Sequence, residues 1–533
     1  MEIIKDVFVP MRDGIELAVD VYRPDAPGRY PALLQRTPYL KSGTVTGRLG
    51  ATGLPAASPV GATAATTIAA TAKALVENGY AVIVSDTRGT GFSQGEYDYY
   101  NFVGGPWDGY DTIEWMAEQP WCDGNVGIMG ASAAAIFCYL AALTHPPHLK
   151  AMAANMHPND FYFDQCFVGG VFRYENRIGW STGMLTRLSP QDPGAPESNN
   201  YAKKLQIYRE RYHQYHQRMT AGKNPINLDW LTEMFQHPTY DDFWKERSFA
   251  HRLDEVDIPT LHGGVLFDHF GRGTIMAHEG LSAPKRLFMS PGALVPGALD
   301  PEGGYQALLL RWFDHFLKGS QNGVTEGPAA RYYLMGEERW LDTPAWPIPV
   351  QPEPFHLAGD GTLLAGPLPH QKPDLLTHDP SNPNPTPRDP ADQGQQENGL
   401  SYTSSPLAED LTVIGSPSVR LFASSDARDV DWVVRLCDVF PDGRAQLLNM
   451  GALKASHRLS HETPQDLEPG RVYEFDIEIW PVANVFRAGH RIRVDISNSD
   501  FPFFESNRLP STNQVFHDEA HPSRLILPVA TSL

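Results

Sequence analysis

The chain has 533 residues, 41% hydrophobic and 20% charged, and its 63 acidic against 43 basic side chains leave a net charge of −20. That length allows about three or four domains with buried cores. The acidic balance disfavours nucleic acid and anionic membranes as partners, leaving a small-molecule substrate as the expected ligand.

In chain order, Met11-Arg12-Asp13-Gly14-Ile15-Glu16-Leu17, Asp20-Val21-Tyr22-Arg23-Pro24 and Gln35-Arg36-Thr37-Pro38-Tyr39 open the first segment. Gly43 to Thr67 is rich in Ala, Gly, Thr and Pro, as expected of a loosely structured insertion or a lid. Tyr80-Ala81-Val82-Ile83-Val84-Ser85 is an apolar run of strand length. It ends in Asp86-Thr87-Arg88-Gly89-Thr90-Gly91, whose glycine spacing is not that of a dinucleotide-binding loop. Asp111 to Gln119 follows as a helix, and Asn125-Val126-Gly127-Ile128-Met129 as a buried strand.

That strand runs into Gly130-Ala131-Ser132-Ala133-Ala134-Ala135 and an apolar helix through Leu143. Strand, Gly-x-Ser turn and helix in this order predict a nucleophile elbow, with Ser132 standing clear of a sheet at a helix N-terminus. Ala134 stands where the motif has its last glycine, and is the smallest side chain that lets helix and strand pack closely there.

Residues 157–252 are aromatic and polar, with helical runs such as Tyr201 to Tyr215. Ile258 to Gly264 reads as a strand ending in glycines, and Lys285 to Met289 as another. Beyond about residue 346, short β-rich runs such as Ser418–Ala423 and Arg491–Ile496 alternate with turn clusters, including a Pro/Asn/Gln-rich loop from Asp379 to Asn398. That spacing predicts a β-sandwich. Cys122, Cys138, Cys166 and Cys437 are scattered, and no His/Cys/carboxylate cluster has zinc spacing. The expectation is therefore no metal, no cofactor and buried free thiols. No export signal or long apolar run is evident, so the expected location is cytoplasmic, with no membrane partner. Nothing in the composition sets the oligomeric state.

Together, the Met11–Leu17, Asp20–Pro24, Gln35–Tyr39, Asp86–Gly95 and Asp108–Trp115 stretches resemble the cocaine esterase-like (CocE/NonD) hydrolases, relatives of the X-Pro dipeptidyl-peptidases. Asn484-Val485-Phe486-Arg487-Ala488-Gly489-His490-Arg491-Ile492 is similar to that family's C-terminal signature. The resemblance implies an α/β-hydrolase core (1–156 and 253–345), an inserted helical cap (157–252) and a C-terminal jelly-roll β-domain (346–533). It also implies that the Tyr39 hydroxyl and the Ala133 N–H form an oxyanion hole, and that Asp268 is the triad acid. The family's histidine follows the next strand. Here that place reads Ser290-Pro291-Gly292-Ala293-Leu294, and leucine cannot take a proton from Ser132.

His269, His278 and His315 are possible relocated bases, while His157, Phe161, Phe163, Phe167 and His269 are expected to line a pocket for a bulky apolar or aromatic molecule. Three readings compete. The one favoured on the residues alone is a cofactor-free, non-hydrolytic enzyme that stabilises an enolate in a conjugate addition, carbon–carbon coupling, cyclisation or isomerisation. The alternatives are a serine ester or amide hydrolase with a relocated base, and a binding protein without activity.

Overall fold

The computed structural model describes residues 1–41, 72–98, 105–224, 226, 229–266, 268–292, 300–387 and 398–532. The insertion expected from Gly43 to Thr67, the tip of the loop from Asp379 to Asn398, and Leu294 lie outside the described residues.

The first segment folds as β1 (Glu2–Pro10), β2 (Glu16–Arg23), β3 (Tyr30–Thr37), β4 (Ala81–Asp86), α1 (Gly105–Ala117), β5 (Cys122–Ala131), α2 (Ala133–Ala142) and β6 (Leu149–Asn155). The helix expected at Asp111–Gln119 starts earlier, at Gly105. All six residues of β4 and all ten of α2 are buried, so both lie within the core rather than on its surface.

The cap between Met156 and Leu253 contains the short hairpin β7 (Phe167–Val168) and β8 (Val171–Phe172), then α3 (Tyr174–Leu188), α4 (Tyr201–Thr220) and α5 (Asp229–Gln236). The core resumes with β9 (Thr260–Val265), α6 (Gly271–Gly280), β10 (Lys285–Ser290), α7 (Gly304–Lys318), β11 (Ala330–Leu334) and β12 (Arg339–Thr343).

The core strands form one ten-stranded sheet in the order β1-β2-β4-β3-β5-β6-β9-β10-β11-β12. From β4 to β11 every pairing is parallel, and the antiparallel pairings are at the two ends of the sheet. Register carries one edge across the sheet. Leu34 pairs with Ile128, Ala131 with Asn155, Asn155 with Gly263, and Val265 with Ser290. Ligands of open parallel sheets bind outside that carboxyl edge. From Val350 to Ala530 a second, 13-stranded β system forms the C-terminal domain, and its hydrophobic core is continuous with Ile275, Leu287, Met289 and Tyr332 of the α/β core.

The β-domain abuts the carboxyl edge of the core. Asn449 donates from Nδ2 to the Leu266 carbonyl at 3.1 Å, and Arg272 pairs with Glu478 at 3.1 Å. Cap and core are joined by Arg272 to Asp164 at 2.7 Å and by Tyr139 stacked on Phe249 at 4.7 Å.

Candidate active site

Ser132 holds φ 57° and ψ −126°, a backbone conformation that L side chains rarely adopt. It does so between the end of β5 and the first residue of α2, as a nucleophile elbow requires. The turn is tight because Gly130 has no side chain. A Cβ there would sit 2.4 Å from the Ala134 carbonyl and 2.7 Å from its Cβ. The methyl of Ala134 therefore already fills the space between helix and strand.

The Ser132 N–H donates to the Asn155 carbonyl at 2.9 Å and to that of Met156 at 3.1 Å, so it is not free to bind an oxyanion. The Ala133 N–H is one of the first-turn groups of α2 that no helical carbonyl satisfies. It is the backbone donor next to the nucleophile.

Tyr39 lies two residues beyond the end of β3, the strand beside β5. The loop that carries it is pinned to the end of β4. Lys41 N–H donates to the Asp86 carboxylate at 2.7 Å, and Thr87 N–H to the Thr37 carbonyl at 3.1 Å. Gly91 makes room for that carboxylate, since a Cβ at Gly91 would fall 2.0 Å from it. Lys41 also holds Asp6 and Asp20 at 2.7 and 2.6 Å. Burial pushes Asp86 up to about 6 despite Lys41. A charged cleft of about 450 Å³ opens beside this network, lined by Lys5, Asp20, Leu40, Lys41, Asp192 and Lys204 among others, and Ser132 is not part of its wall.

Trp180, on α3 of the cap, donates from Nε1 to the Tyr39 hydroxyl oxygen at 3.1 Å. A phenol that accepts this bond keeps its own proton for another acceptor. The cap thus orients Tyr39 as a donor, a partnership that sequence reading missed because it joins residues 141 positions apart.

Asp268 follows β9 and accepts the Phe270 N–H at 2.8 Å, which anchors the turn into α6. Burial raises its carboxyl pKa, opposed by that N–H and by Arg173. The Nδ1 of His269 is 3.5 Å from the Asp268 carboxylate, and its Nε2 has no hydrogen-bond partner among the described residues. Burial holds His269 well below the ordinary histidine range, and Arg173 and Arg177 push it in the same direction.

Of the other expected site residues, His157 is fully buried between Tyr139 and Phe249, with its Nδ1 3.3 Å from the Pro158 carbonyl. Phe161 is fully buried, Phe167 stacks on Tyr162 at 4.6 Å, and Phe163 packs edge-on against Tyr162 at 5.0 Å. His157, Phe163 and Phe167 thus make ring contacts with Tyr139, Tyr162 and Phe249. His278 is also buried, edge-on to His262 at 5.3 Å. His315 lies in α7, with its Nδ1 on the Ser320 carbonyl at 3.0 Å. Among the described residues no group of three or more His, Cys, Asp or Glu could hold a metal ion, and Cys122, Cys138, Cys166 and Cys437 are free and buried. No described helix is long and apolar enough to cross a membrane.

A parallel α/β sheet with a strained serine at the strand–helix turn, under a cap and beside a β-domain, defines an α/β-hydrolase-fold enzyme. Residues 13–293 match the family model of the X-Pro dipeptidyl-peptidases (S15 family), and residues 322–526 match the C-terminal non-catalytic domain of the same peptidases. The chain is 30% identical to the cocaine esterase of Rhodococcus sp. (strain MB1 Bresler), across 99% of this chain and 98% of that protein. Among solved structures it resembles an α-amino acid ester hydrolase, with a TM-score of 0.80 and 24% identity over 99% of this chain and 96% of the other. It also resembles a CocE/NonD family hydrolase from Staphylococcus aureus, with a TM-score of 0.76 and 20% identity over 99% and 94% of the two chains. The chain belongs to the CocE/NonD, X-Pro dipeptidyl-peptidase-like family of α/β-hydrolases. These relatives are hydrolases, and they favour the hydrolytic alternative over the non-hydrolytic reaction expected from the missing histidine.

Proposed function

We propose that this protein is a serine ester or amide hydrolase in which Ser132 is the nucleophile. The observation that carries the proposal is the backbone of Ser132, whose φ of 57° with ψ of −126° at a strand–helix turn is the costly conformation of a nucleophile elbow. In this reading Ser132 Oγ attacks the acyl carbon, and the oxyanion is held by the Tyr39 hydroxyl and the Ala133 N–H. Trp180 keeps the phenolic proton directed away from itself.

Leu294 cannot serve as base, so the proton of Ser132 goes to another group. His269 is the group we assign. It adjoins Asp268, its Nε2 has no partner among the described residues, and its depressed pKa keeps it neutral and able to accept. That low basicity weakens proton abstraction, so turnover is slower than with a histidine of ordinary pKa.

The test is turnover of 4-nitrophenyl esters together with labelling by a fluorophosphonate. Wild-type protein hydrolyses the esters and takes up one label, and Ser132→Ala does neither. His269→Gln folds and keeps the Ser132 side chain but loses most of the rate. Ester hydrolysis that survives Ser132→Ala would assign the reaction to a different nucleophile, and a wild-type protein that neither hydrolyses the esters nor takes up the label would overturn the hydrolase reading.

A further inference from the structure

One face of α3 carries an unusual set of side chains. Arg173 at its N-cap, then Arg177, Trp180, Met184 and Arg187, recur at spacings of three and four, and all are buried. Trp180 holds Tyr39 from this face, and Arg173 and Arg177 act on His269. Arg173 also lies over the rings of Trp480 and Phe503 of the β-domain, at 5.5 and 5.4 Å.

Arg187 is only 2% exposed, yet among the described residues no carboxylate pairs with it. Its Nη1 donates to the Gly183 carbonyl one turn back, and its Nε has no hydrogen-bond partner among the described residues. Its guanidinium carbon is 5.2 Å from the centroid of the Tyr39 ring. Burial lowers its pKa, with Tyr39 and Tyr97 opposing that shift. The aromatic face and the C-terminal turn of the helix offset part of the cost of enclosing the cation. Neither supplies a counter-charge, and enclosed cations are ordinarily paired with one.

We propose that Arg187 receives a carboxylate of the substrate, so that the preferred substrates are esters or amides bearing a free carboxylate close to the scissile group. A guanidinium offers the planar donor fork that a carboxylate matches, and this one sits beside the tyrosine that faces the developing oxyanion. The choice of substrate class rests on the hydrolase reading above; the anion site itself does not.

Two pairs of probes place the carboxylate on either side of the scissile bond. On the acyl side, the mono-4-nitrophenyl ester of adipic acid is compared with that of adipic monoamide. On the leaving side, the hexanoate ester of 4-hydroxyphenylacetate is compared with that of 4-hydroxyphenylacetamide. In at least one pair the acid exceeds the amide in kcat/KM by about 10-fold to 100-fold, the range of a hydrogen bond to a charged group. Arg187→Gln erases that preference, chiefly through KM. Arg187→Lys keeps the cation without the fork and shows an intermediate preference, which decides the matter if the glutamine variant does not fold. Calorimetric titration with the corresponding free acids and amides (adipate against adipamide, 4-hydroxyphenylacetate against its amide) reads the same site without catalysis. Arg187-dependent binding of an acid with no ester turnover keeps the anion site and removes the hydrolase reading. Turnover with no preference for the acid in either pair, or a preference unchanged in Arg187→Gln, overturns the anion site and leaves the hydrolase reading in place.

Discussion

At Tyr39 the structure assigns two partners, the indole N–H of Trp180 on its oxygen and Arg187 over its ring, and both come from the cap. Removing one oxyanion donor typically costs about 2.7–4 kcal/mol of transition-state stabilisation. Tyr39→Phe should therefore lower kcat by roughly 10²- to 10³-fold with the melting temperature little changed. Trp180→Phe removes the orienting donor but not the phenol. Its loss should be smaller, and should fall on kcat more than on KM.

The base makes a separate prediction. A group whose pKa is depressed stays unprotonated to lower pH, so the acid limb of log kcat/KM should lie below the ordinary histidine value of 6.5. A limb centred at 6.5 or above would point to a different base. The positions of Ser132 and Ala133 at the strand–helix turn, and of Tyr39 and Asp268 just after β3 and β9, follow local motif context that a sequence displays. Trp180 and Arg187 were not legible in this way. Their contacts with Tyr39 come from α3 reaching the loop after β3, a long-range approach that a single sequence does not display.

Among the elements, the strand–turn–helix at Ser132 was the most legible, since β5 and α2 are continuous apolar runs on either side of a Gly-x-Ser turn. The packing that makes it work also makes it fragile. Gly130→Ala drives a methyl to 2.4 Å from backbone atoms of Ala134, which belong to a fully buried helix that cannot easily move. Overpacking of this kind costs about 1–3 kcal/mol, readable as a lower urea midpoint at unchanged slope. Ala134→Gly, which restores the usual motif, should cost at most about 1 kcal/mol, the helix penalty of glycine. The cap was less legible. Of the aromatic set expected to line a pocket, His157 meets Tyr139, and Phe167 meets Tyr162 and Trp244. Composition announces aromatic clusters without saying which side faces a ligand.

Across the whole molecule, the stretches that carry the family resemblance turn out to be tied to one another. Arg12 binds Asp111 at 2.7 Å, and Arg88 binds Asp13 at 2.8 Å and Asp108 at 2.6 Å. These pairs brace the β1–β2 turn, the loop after β4 and α1 as one unit. They explain why the motifs are far apart in sequence and close in the fold.

A second molecule-wide feature is a row of buried imidazoles, His157 on the cap junction, His262 on β9 and His278 on α6. Burial holds His157 and His278 down at about 4, and His262 well below its usual range. In the unfolded chain each binds a proton as pH falls through 6.5, while in the folded protein it does not. Their contribution to stability is therefore complete above pH 6.5 and is lost as pH falls towards 4. Asp86, raised to about 6, works in the opposite sense between pH 6 and 4. The histidine effect is thus best isolated by difference. His278→Gln should flatten the decline of melting temperature between pH 7 and pH 4.5 relative to wild type, and an unchanged slope would place the acid sensitivity elsewhere.

In the proposed reaction Ser132 becomes acylated. Rapid-quench mass spectrometry during turnover of a 4-nitrophenyl ester tests it most directly. A burst of nitrophenolate matched by an acyl adduct on the peptide containing Ser132, both absent in Ser132→Ala, is expected. Sustained ester hydrolysis with no adduct on that peptide, or with the adduct on another residue, would contradict it.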